Sequence, residues 1–204
     1  MTVTSVRPIR LRTAAVVAAL ALALSGCAAG GEAGEGPSPQ AVAELETFGL
    51  EGLDAREAIT RLDAMTVADR PENLFASITP AELQLTVAAG EPGEEVVVLP
   101  MPDDAFYVSI APFATQTHEC FYHSLTTCLG EFGNLDVDVT VTDRETGKVV
   151  EQTTLTTFDN GFLGLWLQRG SSYEVSMVSE KGAGKVVVET DDDDPTCITT
   201  LQLS

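Results

Sequence analysis

Between Gln40 and about Arg70, apolar side chains recur at helical spacing. Ala41, Leu45 and Phe48 sit about one turn apart, and Gly49 and Gly52 then break the run. Asp54 followed by Glu57 has the form of a helix N-cap with its capping-box acid three residues on. Ala55, Ala58, Ile59, Leu62 and Met65 mark one apolar stripe beyond it. A helix this short must lay that stripe on something, either the main domain or a second copy. Arg70-Pro71 closes the pattern, and residues 41–80 are taken as a small helical N-terminal segment.

From Leu83 onward the punctuation is that of strands. Val96–Leu99 and Phe106–Ile110 are short β-branched or aromatic runs separated by LPMPDD. Leu135, Val137, Val139 and Val141 alternate with Asp136, Asp138, Thr140 and Thr142, as a half-buried strand would. Asp143 to Gly147 turns that strand into KVVEQTTLTT, which reads as a hairpin. Leu163, Leu165 and Leu167 alternate with Phe162, Gly164 and Trp166, which predicts a strand covered on both faces. Turns at Arg169–Ser171 and Lys181–Gly184 lead into Tyr173, Val175, Met177 and then KVVVET. The last run, CITTLQLS, puts Cys197, Thr199, Leu201 and Leu203 on one face. About eight short strands with frequent turns predict a mainly β, antiparallel sandwich or barrel-like domain over 81–204. With the helical segment the chain is α+β overall.

The first residues follow another logic. Arg7, Arg10 and Arg12 form a basic start, and an apolar run of about a dozen residues ends at Leu24. That run is too short to span a bilayer, which takes roughly 20 apolar residues. Leu24-Ser25-Gly26-Cys27 resembles a bacterial lipobox, which implies a signal peptide over 1–26 and acylation of Cys27. An ordinary cleavage site is the other reading. GCAAGGEAGEGPSPQ then serves as a flexible tether over 27–40. The expected address is extracytoplasmic, with the chain lipid-anchored to the outer face of the cell membrane. Removing 1–26 takes away three arginines and no acid, so the formal charge moves from −20 to −23. Such acidity repels phosphate backbones and excludes nucleic acid as a partner.

With Cys27 acylated, three thiols remain in an oxidising compartment, and three cannot all pair within one chain. HECFYHSLTTC, residues 118–128, gathers both histidines of the chain, His118 and His123, with Cys120 and Cys128. Either a loop or a helix brings Cys120 and Cys128 together at this spacing, and Cys197 completes the set if the last strand runs beside them. Three thiolates with an imidazole suit a soft ion, Cu(I) first and Zn(II) second. Two alternatives stay open: a Cys120–Cys128 disulfide in a surface module that binds another protein, and a thiol redox protein that reduces Cu(II) or exchanges disulfides. No Gly-rich phosphate loop or hydrolase motif is present, and we expect no catalytic residues.

The segments FYVSIAPF (106–113), HECFYHSLTTCLGE (118–131), DNGFLGLWLQRG (159–170) and TCITTLQL (196–203) resemble the CueP family of periplasmic copper-binding proteins. The resemblance covers most of residues 45–204. It implies a metal site made by Cys120, Cys128 and Cys197; the clustering of His123 and His118 with these cysteines adds the two histidines as auxiliary ligands or proton acceptors. It also implies a role in copper storage, tolerance and delivery, including supply to a Cu,Zn superoxide dismutase, and a homodimer formed through the N-terminal part. The lipobox and tether depart from a soluble periplasmic carrier, so a different set of partners is expected for an anchored form.

Overall fold

The computed structural model of the chain describes residues 36–204. The expected signal peptide, Cys27 and most of the tether lie outside the described residues. Among the described residues no helix is long and apolar enough to cross a membrane.

Helix α1 (Pro39–Thr47) starts where Ser38 caps it, its hydroxyl accepting from the Ala41 N–H at 3.1 Å. It stops where Gly49 turns left-handed at φ 67°. Helix α2 (Ala55–Asp63) carries the expected capping box, the Glu57 N–H donating to Asp54 and the Asp54 N–H to Glu57. It buries Ala55, Ala58, Ile59 and Leu62, and with them Asp63. A single 3₁₀ turn (Val67–Asp69) follows, where the sequence pattern predicts helix as far as Arg70.

Among the described residues eleven strands follow: β1 (Leu74–Ile78), β2 (Glu82–Val87), β3 (Glu95–Pro100), β4 (Ala105–Ile110), β5 (His123–Ser124), β6 (Asp136–Asp143), β7 (Val149–Thr156), β8 (Leu163–Gln168), β9 (Ser172–Ser179), β10 (Gly182–Glu189) and β11 (Cys197–Ile198). They make three sheets, ordered β3-β2-β1-β5, β10-β9-β6-β7 and β11-β4-β8. The fold is therefore mainly β, with both helices near the N-terminal end. The strand regime opens at Leu74 rather than Leu83. Leu74, Ala76 and Ile78 alternate inward, but Phe75 lies on the outer face 48% exposed, which hides the period of two.

The short central sheet separates two cores. Tyr107 of β4 and Trp166 of β8 face the first core, which holds α1, α2 and the β1–β3 face. Phe106, Val108 and Ile110, with Leu163, Leu165 and Leu167, face the second core against β6 and β9. The expectation that the Leu163–Leu167 strand is covered on both faces corresponds to this arrangement. The C-terminal run differs from its expected antiparallel form. Only Cys197 and Ile198 pair as a strand, and they run parallel to Ser109 and Ile110. The chain reaches this position from β10 in another sheet, and such a crossover can deliver a parallel strand. Cys197, Thr199, Leu201 and Leu203 are nonetheless all buried, as their alternation predicts.

Gly164 has a steric duty here. A Cβ at this position would overlap the hydroxyl end of Tyr107, which crosses Gly164 on its way to Asp63 of α2. Gly164→Ala is expected to destabilise the protein by about 1–3 kcal/mol through overpacking. Urea unfolding reads this as a lower midpoint at unchanged m-value; an unchanged midpoint would show that Tyr107 moves aside freely.

Candidate metal centre

The sulfur cluster is assembled where three separate parts of the chain meet. Short strand β5 pairs with β1, setting His123 opposite Ile78. The His123 N–H donates to the Thr196 hydroxyl at 3.0 Å, and that hydroxyl donates to the Ile78 carbonyl at 2.6 Å. The next residue, Cys197, donates its N–H to the Phe121 carbonyl at 3.1 Å. Thr196 thus locks the C-terminal strand to the 118–128 segment and seats Cys197 beside Cys120. A turn closes on the other side, with the Cys128 N–H donating to the Ser124 carbonyl at 3.1 Å. The Ser124 N–H points at the Cys128 sulfur at 3.4 Å, and Arg70 Nη1 donates to the Cys128 carbonyl at 3.0 Å.

Cys120 and Cys197 are joined as a disulfide, with Cα atoms 5.6 Å apart. This corrects the alternative that pairs Cys120 with Cys128. Among the described residues Cys128 is the free cysteine, and its Sγ lies 3.7 Å from that of Cys120. The pairing follows from the fold, because the Phe121–Cys197 backbone bond aligns the two chains side by side, whereas Cys128 is held on its own turn.

Two ligand sets share Cys128. His118, Cys120 and Cys128 form an outer set, and His123, Cys128 and Cys197 an inner one; in each set the ligand atoms lie within 4.8 Å of one another. His118 is exposed, whereas His123 is fully buried. All five residues singled out in the sequence segment and C-terminal run therefore converge. Phe162, also buried, is the floor: its ring centroid lies 4.5 Å from that of His123 and 6.3 Å from that of His118. Phe121, Tyr122 and Leu129 form an exposed apolar rim.

Burial dominates the electrostatics. It lowers the His123 pKa to about 3, helped by the charges of Arg70 and His118. It raises Asp63 to about 7, against the opposing pull of the Tyr107 hydroxyl and Arg70. Because His123 is neutral above about pH 3, the 3.9 Å approach of its Nε2 to Asp63 Oδ1 is not an ion pair. Burial also raises the Cys128 thiol, partly offset by the Ser124 N–H and by Arg70. A metal must displace that proton, so its charge is what stabilises the thiolate here.

Beside the outer set, a cavity of about 260 Å³ is lined by residues that include His118, Gln116, Leu129 and Glu131. Glu131 does not face a ligand there. It accepts the N–H groups of Ala114, Thr115 and Gln116 at 2.7, 2.9 and 3.2 Å and the Thr115 hydroxyl at 2.6 Å, pinning the loop that leads to His118.

A family model described as periplasmic copper-binding protein CueP matches residues 57–202. The chain belongs to the CueP family. A crystal structure of S.CueP is similar at TM-score 0.73 and 35% identity, over 82% of this chain and 99% of that one. A search of curated proteins finds no match. The span shared with CueP takes in all five clustered residues and most of α2, so the helix and the cluster belong to one family fold.

Sequence reasoning did not single out Asp63, Arg70 or Phe162. Asp63 had a legible signal: an acid four residues after Ile59, on the stripe that α2 buries. Arg70 and Phe162 had none, since each acts through a partner at least 39 residues away in sequence.

Glu131 yields a pH prediction. The Thr115 hydroxyl, followed by its N–H and those of Ala114 and Gln116, holds the Glu131 carboxyl at about 2 against an ordinary 4.5. The folded pKa is depressed, so this contribution is fully present above pH 4.5 and is lost as the pH falls through about 2. Glu131→Gln is expected to flatten the acid limb of the stability profile across that window, measured as urea midpoint against pH. An identical profile in the variant would remove Glu131 from that role.

Proposed function

We propose that the protein is an extracytoplasmic copper carrier that holds Cu(I) on Cys120, Cys128 and Cys197, with His123 as the nitrogen ligand of the inner set and His118 at the solvent side. The observation that carries this reading is the convergence of three cysteine sulfurs and two imidazoles at Cys128. A sulfur-rich set with a neutral imidazole suits Cu(I), which accepts low coordination. The spacing lacks the paired Cys-x2-4-Cys form common in structural zinc sites, so Zn(II) ranks second. CueP membership supports copper as the cargo and the periplasmic side as the workplace. The lipobox-like segment supports a lipid anchor at Cys27, which would tether the carrier to the outer face of the membrane.

Loading requires the Cys120–Cys197 disulfide to be reduced by an external dithiol, which is itself oxidised to a disulfide as the two thiols form, and release proceeds by ligand exchange at the outer set, where His118 is exposed. An incoming thiolate or imidazole replaces His118 and Cys120 before the inner ligands let go. Delivery to a Cu,Zn superoxide dismutase, and pairing of two copies through the N-terminal part, are the roles that the CueP resemblance implies for the loaded protein.

One observation favours a second reading, in thiol redox chemistry: the disulfide has a free thiol 3.7 Å from one of its sulfurs. The Cys128 thiolate attacking Cys120 Sγ would form a Cys120–Cys128 bond and release the Cys197 thiolate, with no net oxidation. With the pair reduced, the Cys120 and Cys197 thiols would instead give two electrons to two Cu(II) ions, leaving the disulfide, two Cu(I) and two protons released to solvent.

Anaerobic Cu(I) titration of reduced protein against a competing chelator tests the carrier reading. Binding is expected to weaken by at least about tenfold in each of Cys120→Ser, Cys128→Ser and Cys197→Ser, with the thiol count unchanged after copper is removed. Thiols consumed on contact with Cu(II) would favour the redox reading. No binding in the reduced protein would overturn the carrier.

A further inference from the structure

Asp63 is the anomaly of the first core. It sits on the apolar face of α2 with 1% of its surface exposed, among Ile59, Leu62 and the β1–β2 strands. Burying a carboxyl group is costly unless its oxygens are satisfied. Oδ2 is satisfied, since it accepts the Tyr107 hydroxyl. Oδ1 has no hydrogen-bond partner among the described residues. Facing it at 3.9 Å is His123 Nε2, equally buried and equally without a partner. The opposite nitrogen of the same ring, Nδ1, lies 3.8 Å from Cys197 Sγ. The imidazole thus stands between a sulfur on one side and a carboxyl oxygen on the other, packed at a tilt of 48° on the Phe162 ring.

We propose that Asp63 is a positioning residue for the copper site: it accepts the Nε2 proton of His123 and thereby fixes the tautomer whose Nδ1 lone pair faces Cys128 and Cys197. This deepens the carrier reading and rests on it. A histidine that binds a metal through one nitrogen commonly donates the other N–H to a carboxylate, which fixes the ring and makes it a stronger ligand. The two orphaned atoms are the halves of that arrangement, slightly too far apart for a hydrogen bond without an ion. Tyr107 completes the support by holding Asp63 through its other oxygen, and the absent side chain at Gly164 lets the Tyr107 hydroxyl reach it. Trp166 packs on Tyr107 with ring centroids 4.9 Å apart, fixing the tyrosine from behind. On this reading the N-terminal helical segment serves the metal site directly, by delivering the carboxyl group.

The test combines Cu(I) affinity with nitrogen NMR. Asp63→Asn keeps the volume but leaves one acceptor for two donors, and is expected to weaken Cu(I) binding by about 10- to 100-fold. In a His123→Ala background the same change is expected to shift affinity less than twofold, because it acts only through that ring. Equal losses in the two backgrounds would mean that Asp63 acts structurally and would overturn the proposal. So would unchanged affinity in Asp63→Asn, or unchanged affinity in His123→Ala. The NMR arm needs no folded variant of Asp63. In the ¹⁵N-histidine-labelled native chain loaded with Cu(I), His123 is expected to carry its proton on Nε2, with Nδ1 shifted by the metal. His118→Ala assigns the remaining ring. A proton on Nδ1, or two unshifted nitrogens, would overturn the proposal. Absence of Cu(I) binding by the native reduced chain would instead remove the carrier reading on which it rests.

Discussion

The bond between Cys197 N–H and the Phe121 carbonyl, backed by the Thr196 hydroxyl that bridges His123 and Ile78, is the constraint on which the site depends. These contacts close about 75 residues of chain against the 118–128 segment, an ordering with a substantial loop-entropy cost that local propensity does not offset. The two cores offset it. The second core seats β6, β8 and β9 against β4, and Ile198, Leu201 and Leu203 finish its wall. Once those side chains are buried, Cys197 has little freedom, and it falls beside Cys120 with Cys128 next to both.

The central sheet gives the protein a division of labour. Its face toward sheet β10-β9-β6-β7 is apolar and fully packed. Its other face carries Tyr107 and Trp166, and through Tyr107 it reaches the buried carboxyl group of Asp63. The buried imidazole, the buried carboxyl group and Cys197 meet at the seam of β1, β5, β11 and the end of α2. Burial there keeps His123 neutral, and a neutral imidazole is the form that can ligate. The exposed rim at His118, Phe121, Tyr122 and Leu129 is the side on which the outer ligands meet solvent.

Much of this was legible in the chain, for identifiable reasons. The α2 capping box, the alternation of Leu135–Val141 and the two-sided strand around Trp166 are local patterns, and each appears where its period predicts. Four of the five residues of the sulfur cluster stood out because scarce residue types were concentrated in residues 118–128, and Cys197 was added by the odd number of thiols. The features that escaped depend on partners distant in sequence. β1 hid its period behind an outward Phe75, and β11 took a parallel neighbour that no local pattern specifies. The disulfide partner of Cys120 was likewise set by strand placement rather than by spacing. Asp63 left its trace as a charge on a buried stripe, but its meaning required His123 to be seen opposite it.

The central claim is that copper sits on sulfur at the point where the two ligand sets meet. Copper K-edge X-ray absorption of the reduced protein loaded with one equivalent of Cu(I) tests it most directly. The account predicts a first shell dominated by sulfur, with a minor nitrogen contribution that disappears in His123→Ala. A first shell of nitrogen and oxygen alone would contradict it, and would move the metal away from Cys120, Cys128 and Cys197.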